Sequence, residues 1–107
     1  MKSISKEQLP LISYLINLSK LEVDIDTLQV AEMNDGGMGS HTFSTASEDS
    51  IFGGNVAEVI FKDIDGIEVN GALFIDQYGN PYELDMFKAD NSKLEQWPNE
   101  KELQKDN

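Results

Sequence analysis

Carboxylates are the side chains of this sequence best placed to do chemistry together. Successive residues of a β-strand face opposite ways, so Glu68 and Asp76 fall on one face of one candidate strand. Glu83 and Asp85 fall on one face of the next. If a helix covers the faces bearing Val69, Leu73, Leu84 and Met86, these four acids share the open side. Glu58 is a further candidate, although its strand is apolar on both sides and its pattern does not fix its face. Phe87 lies opposite Leu84, on the acidic side, and an exposed aromatic beside carboxylates has the composition of a binding hot spot. Burial of Phe87 under the segment around Leu94 and Trp97 is the competing reading. Asp35, in a glycine-rich loop, offers a second anionic surface. Like charges opposed across strands destabilise a sheet by up to ~1 kcal/mol per pair, and a basic partner would offset that cost. The plainer alternative is an ordinary solvated face. Only Lys62 and Lys88 interrupt the region, which favours a partner.

Other constellations carry less. Asp63-Ile64-Asp65-Gly66 superficially suggests calcium, but an EF-hand loop has its glycine at the sixth position and here it comes fourth. A hairpin turn explains it better. Gly36-Gly37-Met38-Gly39-Ser40 lacks the Gly-Lys-Ser/Thr of a phosphate loop, and Asp35 would repel phosphate. A glycine-shaped hairpin or bulge is expected there. His41 is the only histidine; without a Gly-x-Ser-x-Gly elbow it is expected to pair with a neighbouring carboxylate rather than act as a base. Paired carboxylates can serve a glycosidase, but no pair stands out among so many. No enzymatic activity, cofactor or metal is expected.

Composition narrows the partners. The chain has 107 residues, 20 Asp and Glu against eight Lys, no Arg and a formal net charge of −12. One domain of that length buries roughly two-thirds of its extended surface. A nucleic-acid binder needs a basic footprint, and anionic membrane surfaces attract basic segments, so neither partner is expected. Cysteine is absent, which excludes disulfides and thiolate zinc sites and is compatible with the cytoplasm, the expected compartment. The longest apolar stretch, Leu9 to Leu18, is interrupted by Pro10, Ser13, Tyr14 and Asn17. It is far short of the ~20 residues of a membrane span, and it lacks the features of a secretory signal.

The elements that must position the acids follow from pattern. Residues 5–20 read as a helix, with Ser5 and Gln8 in a capping-box relation and Pro10 delaying the regular part. Leu11, Tyr14, Leu15 and Leu18 form its apolar stripe, broadened by Ile12 and Ile16. Strands are expected at 27–33, 38–45, 55–63, 67–76 and 82–89. Asn34-Asp35-Gly36-Gly37, Asp65-Gly66 and Gln77 to Pro81 supply turns, and 46–54 a loop. The expected class is α+β: an N-terminal helix on an antiparallel meander of about five strands, residues 1–98 forming one domain and 99–107 a charged, frayed tail.

Two segments, Asn34-Asp35-Gly36-Gly37-Met38-Gly39-Ser40 and Tyr82-Glu83-Leu84-Asp85-Met86-Phe87-Lys88-Ala89-Asp90, resemble the signature segments of an uncharacterised bacterial family, over about residues 5–98. Small acidic domains of this sort are also similar to immunity proteins of bacterial toxin systems, including contact-dependent growth inhibition. That resemblance implies an inhibitor that binds a cognate basic toxin domain, a nuclease first among candidates. Glu58, Glu68, Asp76, Glu83, Asp85, Phe87 and Asp35 would make the contacts. The alternative is an acidic regulatory or structural module with no toxin partner, including a homodimer through an edge strand.

Overall fold

Ser5 and Gln8 close the capping box reciprocally: the Ser5 N–H donates to Gln8 Oε1 at 2.9 Å and the Gln8 N–H to Ser5 Oγ at 3.2 Å. The regular helix, α1 (Leu9–Ser19), starts just after, with Pro10 in its first turn. It ends at Lys20 in the left-handed conformation. Leu11, Ile12, Leu15 and Ile16 are buried, each stabilising by roughly 1.5–3 kcal/mol. The computed structural model describes residues 1–105. No helix among them is long and apolar enough to cross a membrane.

The strands are β1 (Lys2–Ser3), β2 (Gln29–Glu32), β3 (His41–Phe43), β4 (Phe52–Lys62), β5 (Glu68–Asp76), β6 (Pro81–Lys88) and β7 (Gln104–Lys105). They form one antiparallel sheet in the order β1-β2-β3-β6-β5-β4-β7. The α+β class is as expected, with α1 near the N-terminus, but there are seven strands rather than about five. The additional two are two-residue edges, too short to leave a pattern. A simple meander is also corrected. β3 pairs with β6, not β4, so the 44–51 connection carries the chain to the far side of β5, a Greek-key arrangement.

The tail expected to fray is docked as far as it is described. Glu100–Glu102 form a 3-10 turn, closed by a capping box between Asn99 and Glu102. Leu103 is buried in the core, and β7 pairs with Val59 and Ile60. One apolar residue inside a charged segment is enough to anchor it. Residues 106–107 of that expected tail lie outside the described residues.

α1 and the segment 91–98 cover one face of the sheet, with Val59, Val69, Leu73, Leu84 and Met86 beneath them. That second cover is held by Lys88. Its ammonium is fully buried, 2.9 Å from Asp63 Oδ2 and 2.6 Å from Asp65 Oδ2, and it donates to the Lys93 carbonyl at 3.1 Å. Asp63, equally buried, also accepts the Glu95, Gln96 and Ile64 N–H groups. Among the described residues both ion pairs belong to Lys88. Burial alone would lower the Lys88 pKa, but hydrogen bonds and charge from the two aspartates raise it well above the ordinary lysine value. Burial likewise pushes Asp63 up, and the Glu95 N–H and Lys88 outweigh it, so its pKa is lowered.

These shifts fix the pH window of the ion pair. The Asp63 contribution is present above the ordinary carboxylate range and lost as pH falls through the depressed value. The Lys88 contribution is lost only as pH rises through the raised value. Lys88→Met leaves a buried carboxylate without its counter-charge, so Tm at pH 7 should fall on the order of 10 °C or more. Adding Asp63→Asn should recover part of the loss in thermal unfolding. A Lys88→Met chain melting within a degree or two of the parent would contradict this role.

Candidate functional site

The face of the sheet away from α1 carries the charge. Its cross-strand rows follow from register. Asp85 on β6, Ala72 on β5 and Glu58 on β4 form one row. Glu83 and Phe74 pair in the next row on one side, and Phe87, Asn70 and Ile60 align on the other. Adjacent strands lie about 4.8 Å apart, so Asp85 and Glu58 flank Ala72 at backbone separations of ~10 Å. Glu58 lies beyond the register shifts at Phe52/Gly54 and Asn55/Ala57, in the regular stretch from Ala57 to Lys62, and alternates with the buried Ala57, Val59 and Phe61, so it faces the open side. Ile60 on the same face makes the strand apolar on both sides, which is why the sequence pattern left the face of Glu58 open.

Glu58 is held by amides: Asn55 Nδ2 donates to Oε1, and Asn70 Nδ2 to Oε2 at 3.3 Å. Among the described residues no lysine pairs with Asp85 or Glu83. Burial raises the Glu83 pKa, and the Asp85 charge raises it further. Burial raises the Asp85 pKa too, with the charges of Asp35 and Glu58 adding to it. The charge of the Asp35 loop therefore acts on the acids of the sheet face.

Asp35 is placed there by its own loop. Its carboxylate accepts the Gly37 N–H at 3.1 Å and the Ser40 N–H at 2.9 Å, closing a turn in which Gly36, Gly37 and Gly39 have positive φ. Burial pushes its pKa up, but the hydrogen bonds from Ser40 and Gly37 win and the net shift is downward. Ser40 Oγ accepts the Met86 N–H at 2.9 Å and donates to the Met86 carbonyl at 3.3 Å. The two segments singled out in the sequence therefore meet. Gly39 is favoured as glycine by its φ of +108°, a conformation that side-chain-bearing residues rarely adopt; a Cβ there would meet Leu94, Met86 and Trp97 only at ordinary contact distance.

Phe87 is 48% exposed; Leu94 and Trp97 cover the other side of the sheet, against Met86 and His41, so the burial reading fails. Phe52 and Phe74 add an edge-to-face pair at 4.9 Å and 87°. Neither ring, nor Asn70, was singled out in the sequence. Phe74 shares the parity of Asn70, which was the available signal; Phe52 sits before a bulge and offered none.

Two expected contact residues are corrected. Asp76 is buried, 2% exposed, and spent on the following turn. Its Oδ1 accepts the Tyr78 and Asn80 N–H groups at 2.9 and 3.0 Å, and Oδ2 accepts Ser50 Oγ at 2.9 Å. At a strand end, an aspartate beside a turn folds back onto the backbone rather than facing solvent. Glu68 is exposed, but it pairs in register with Lys62 at the far end of the face, away from the row of acids. His41 is corrected as well. Its Nδ1 donates to the Gly39 carbonyl at 2.7 Å, which leaves Nε2 to accept from the Gln8 amide at 3.2 Å, with no carboxylate involved.

Beside His41 a cleft of about 450 Å³ opens between the Asp35 loop and Trp97. Among the described residues every buried side-chain nitrogen and oxygen has a partner, so none reaches into the cleft for a ligand.

A helix-backed antiparallel sheet with an uncovered acidic and aromatic face defines the domain. The chain belongs to the DUF6984 family, a domain of unknown function whose family model matches residues 1–98. No curated protein and no solved structure matches it.

The raised Glu83 and Asp85 values carry a sign. Charging them costs the folded state, and the penalty is present above their raised pKa and relieved as pH falls through it. The double variant Glu83→Gln/Asp85→Asn should therefore be more stable than the parent at pH 7, by about 0.5 kcal/mol after solvent screening. The gain should shrink as pH is lowered to about 4. Thermal unfolding at both pH values checks it; a gain that is absent at pH 7 or unchanged at low pH would contradict the assignment.

Proposed function

We propose that the protein is an immunity protein that captures and neutralises a basic toxin domain, a nuclease first among candidates, in the cytoplasm. The carrying observation is the anionic cluster of Asp35, Asp85, Glu83 and Glu58, with which no lysine pairs among the described residues, beside the exposed ring of Phe87. Nuclease domains bind phosphate backbones and are commonly basic. An acidic face seated in the same cleft excludes the nucleic acid, and no bond need be made or broken. Complementary fields raise association toward 10⁸–10⁹ M⁻¹s⁻¹, against about 10⁵–10⁶ for neutral pairs. The exposed aromatics supply desolvated contact that charge alone does not. A standard interface would bury about 1,600 Å² in total. The alternative is an acidic regulatory or structural module with no toxin partner, including a homodimer through an edge strand, in which two chains of net charge −12 would meet.

The test is co-purification with candidate basic toxin domains, followed by association kinetics. Charge reversal by Glu83→Lys/Asp85→Lys should slow association at least tenfold at low salt and flatten its dependence on ionic strength. Kinetics that are unchanged across an ionic-strength series would remove this face from the interface.

A further inference from the structure

β4 is the longest strand of the sheet, and much of its outer edge is bare. Its inner side pairs with β5 from Phe52 to Lys62, whereas its outer side meets β7 only at Val59 and Ile60. Among the described residues no strand pairs with the outer side of residues 52–56. Phe52, Gly53 and Asn55 are exposed, so neither helix nor loop covers them. Natural sheet edges are guarded by lysine, proline, bulges or short length. The run Ile51-Phe52-Gly53-Gly54-Asn55-Val56-Ala57-Glu58 has no lysine and no proline. Its two bulges bend the strand, and no strand covers them among the described residues.

The adjoining glycines differ in meaning. Gly53 has an internal reason, because a Cβ there would collide with the Asp76 carbonyl. Gly54 sits at the register shift that follows Phe52, where a glycine suits the bulge, and a Cβ there would meet nothing nearer than Ile75 at 4.0 Å. Around this edge the side chains are anionic and aromatic, with Glu58 on the same strand and Phe52 stacked edge-on against Phe74. A second copy of this chain would bring a further −12 of charge to that place. A cationic strand brings the opposite sign.

We infer that residues 52–56 of β4 accept an added β-strand from a cationic partner. Main-chain hydrogen bonds hold the strand, and its lysine or arginine side chains reach Glu58 and the acids beyond it. This rests on the reading of the acidic face as a capture surface for a basic protein, and adds how the partner is gripped.

The probe is an amidated nine-residue peptide of alternating lysine and valine, compared with the same peptide N-methylated along one edge and with a threonine-valine analogue. Binding to the full chain is followed by fluorescence anisotropy, and amide exchange by NMR. The lysine peptide should slow exchange among residues 52–56 at least tenfold, and N-methylation should weaken its binding at least tenfold. Equal binding of the two lysine peptides, with Glu83→Gln/Asp85→Asn still weakening both, overturns the edge inference and leaves the acidic capture face standing. Sensitivity to N-methylation without sensitivity to Glu83→Gln/Asp85→Asn, or equal affinity for the threonine peptide, overturns the cationic partner and the capture reading with it. No binding of the lysine peptide overturns the inference, as does concentration-dependent protection of residues 52–56 without peptide, which would make a second copy the occupant.

Discussion

Taking an ammonium group out of water is tolerable only where counter-charge and hydrogen-bond acceptors converge on it, and Lys88 makes that demand of three distant parts of the chain. Asp63 and Asp65 come from the β4–β5 turn, the Lys93 carbonyl from the segment after β6, and Lys88 itself from the end of β6. Asp63 passes the constraint on by accepting the N–H groups of Glu95 and Gln96, which aims the following residues back across the sheet. The Leu94 N–H then meets the Gly37 carbonyl at 3.0 Å, and Trp97 rests 5.8 Å from the His41 ring. Ala89 to Pro98 thus becomes a cover rather than a loose end. It joins α1 on one face and leaves the other without cover.

What stands on that uncovered face works against the stability of the fold. Burial and the Asp85 charge disfavour ionisation of Glu83, burial and the charges of Asp35 and Glu58 disfavour that of Asp85, and Asp35 is fixed by hydrogen bonds that favour its own. Elsewhere the chain handles charge economically: Asp63 and Asp65 neutralise Lys88, and Asp76 caps a turn. Local conflicts of this kind tend to mark function, because a partner can offset what the isolated domain cannot. The exposed rings of Phe87 and Phe52 beside the acids belong to the same pattern.

Features encoded by near neighbours were legible in the sequence. The Ser5–Gln8 capping box, the Leu11/Leu15 stripe and the Asp65-Gly66 turn depend on residues three or four apart, and each forms as its spacing predicts. So does the shared face of Glu83, Asp85 and Phe87, which follows from alternation alone. Features that join remote segments were not legible. Nothing near β3 says that it will pair with β6 instead of β4. Lys88 shares the parity of the buried Leu84 and Met86, which signals an inward side chain, but its partner Asp63 lies 25 residues away. Apolar residues on both faces of β4 hid the orientation of Glu58, and a turn diverted Asp76 after alternation had placed it outward. Leu103, the one buried residue among the described residues of the tail, was hidden by the charges around it.

Backbone amide mapping of the chain bound to a purified basic toxin domain is the most direct measurement of whether the anionic sheet face is the capture surface. Shifts and line broadening concentrated at Glu58, Phe74, Glu83, Asp85 and Phe87, with α1 and the Trp97 segment unaffected, are the expected result. Perturbations centred on α1 or on residues 99–105, with the acidic face unchanged, would contradict it.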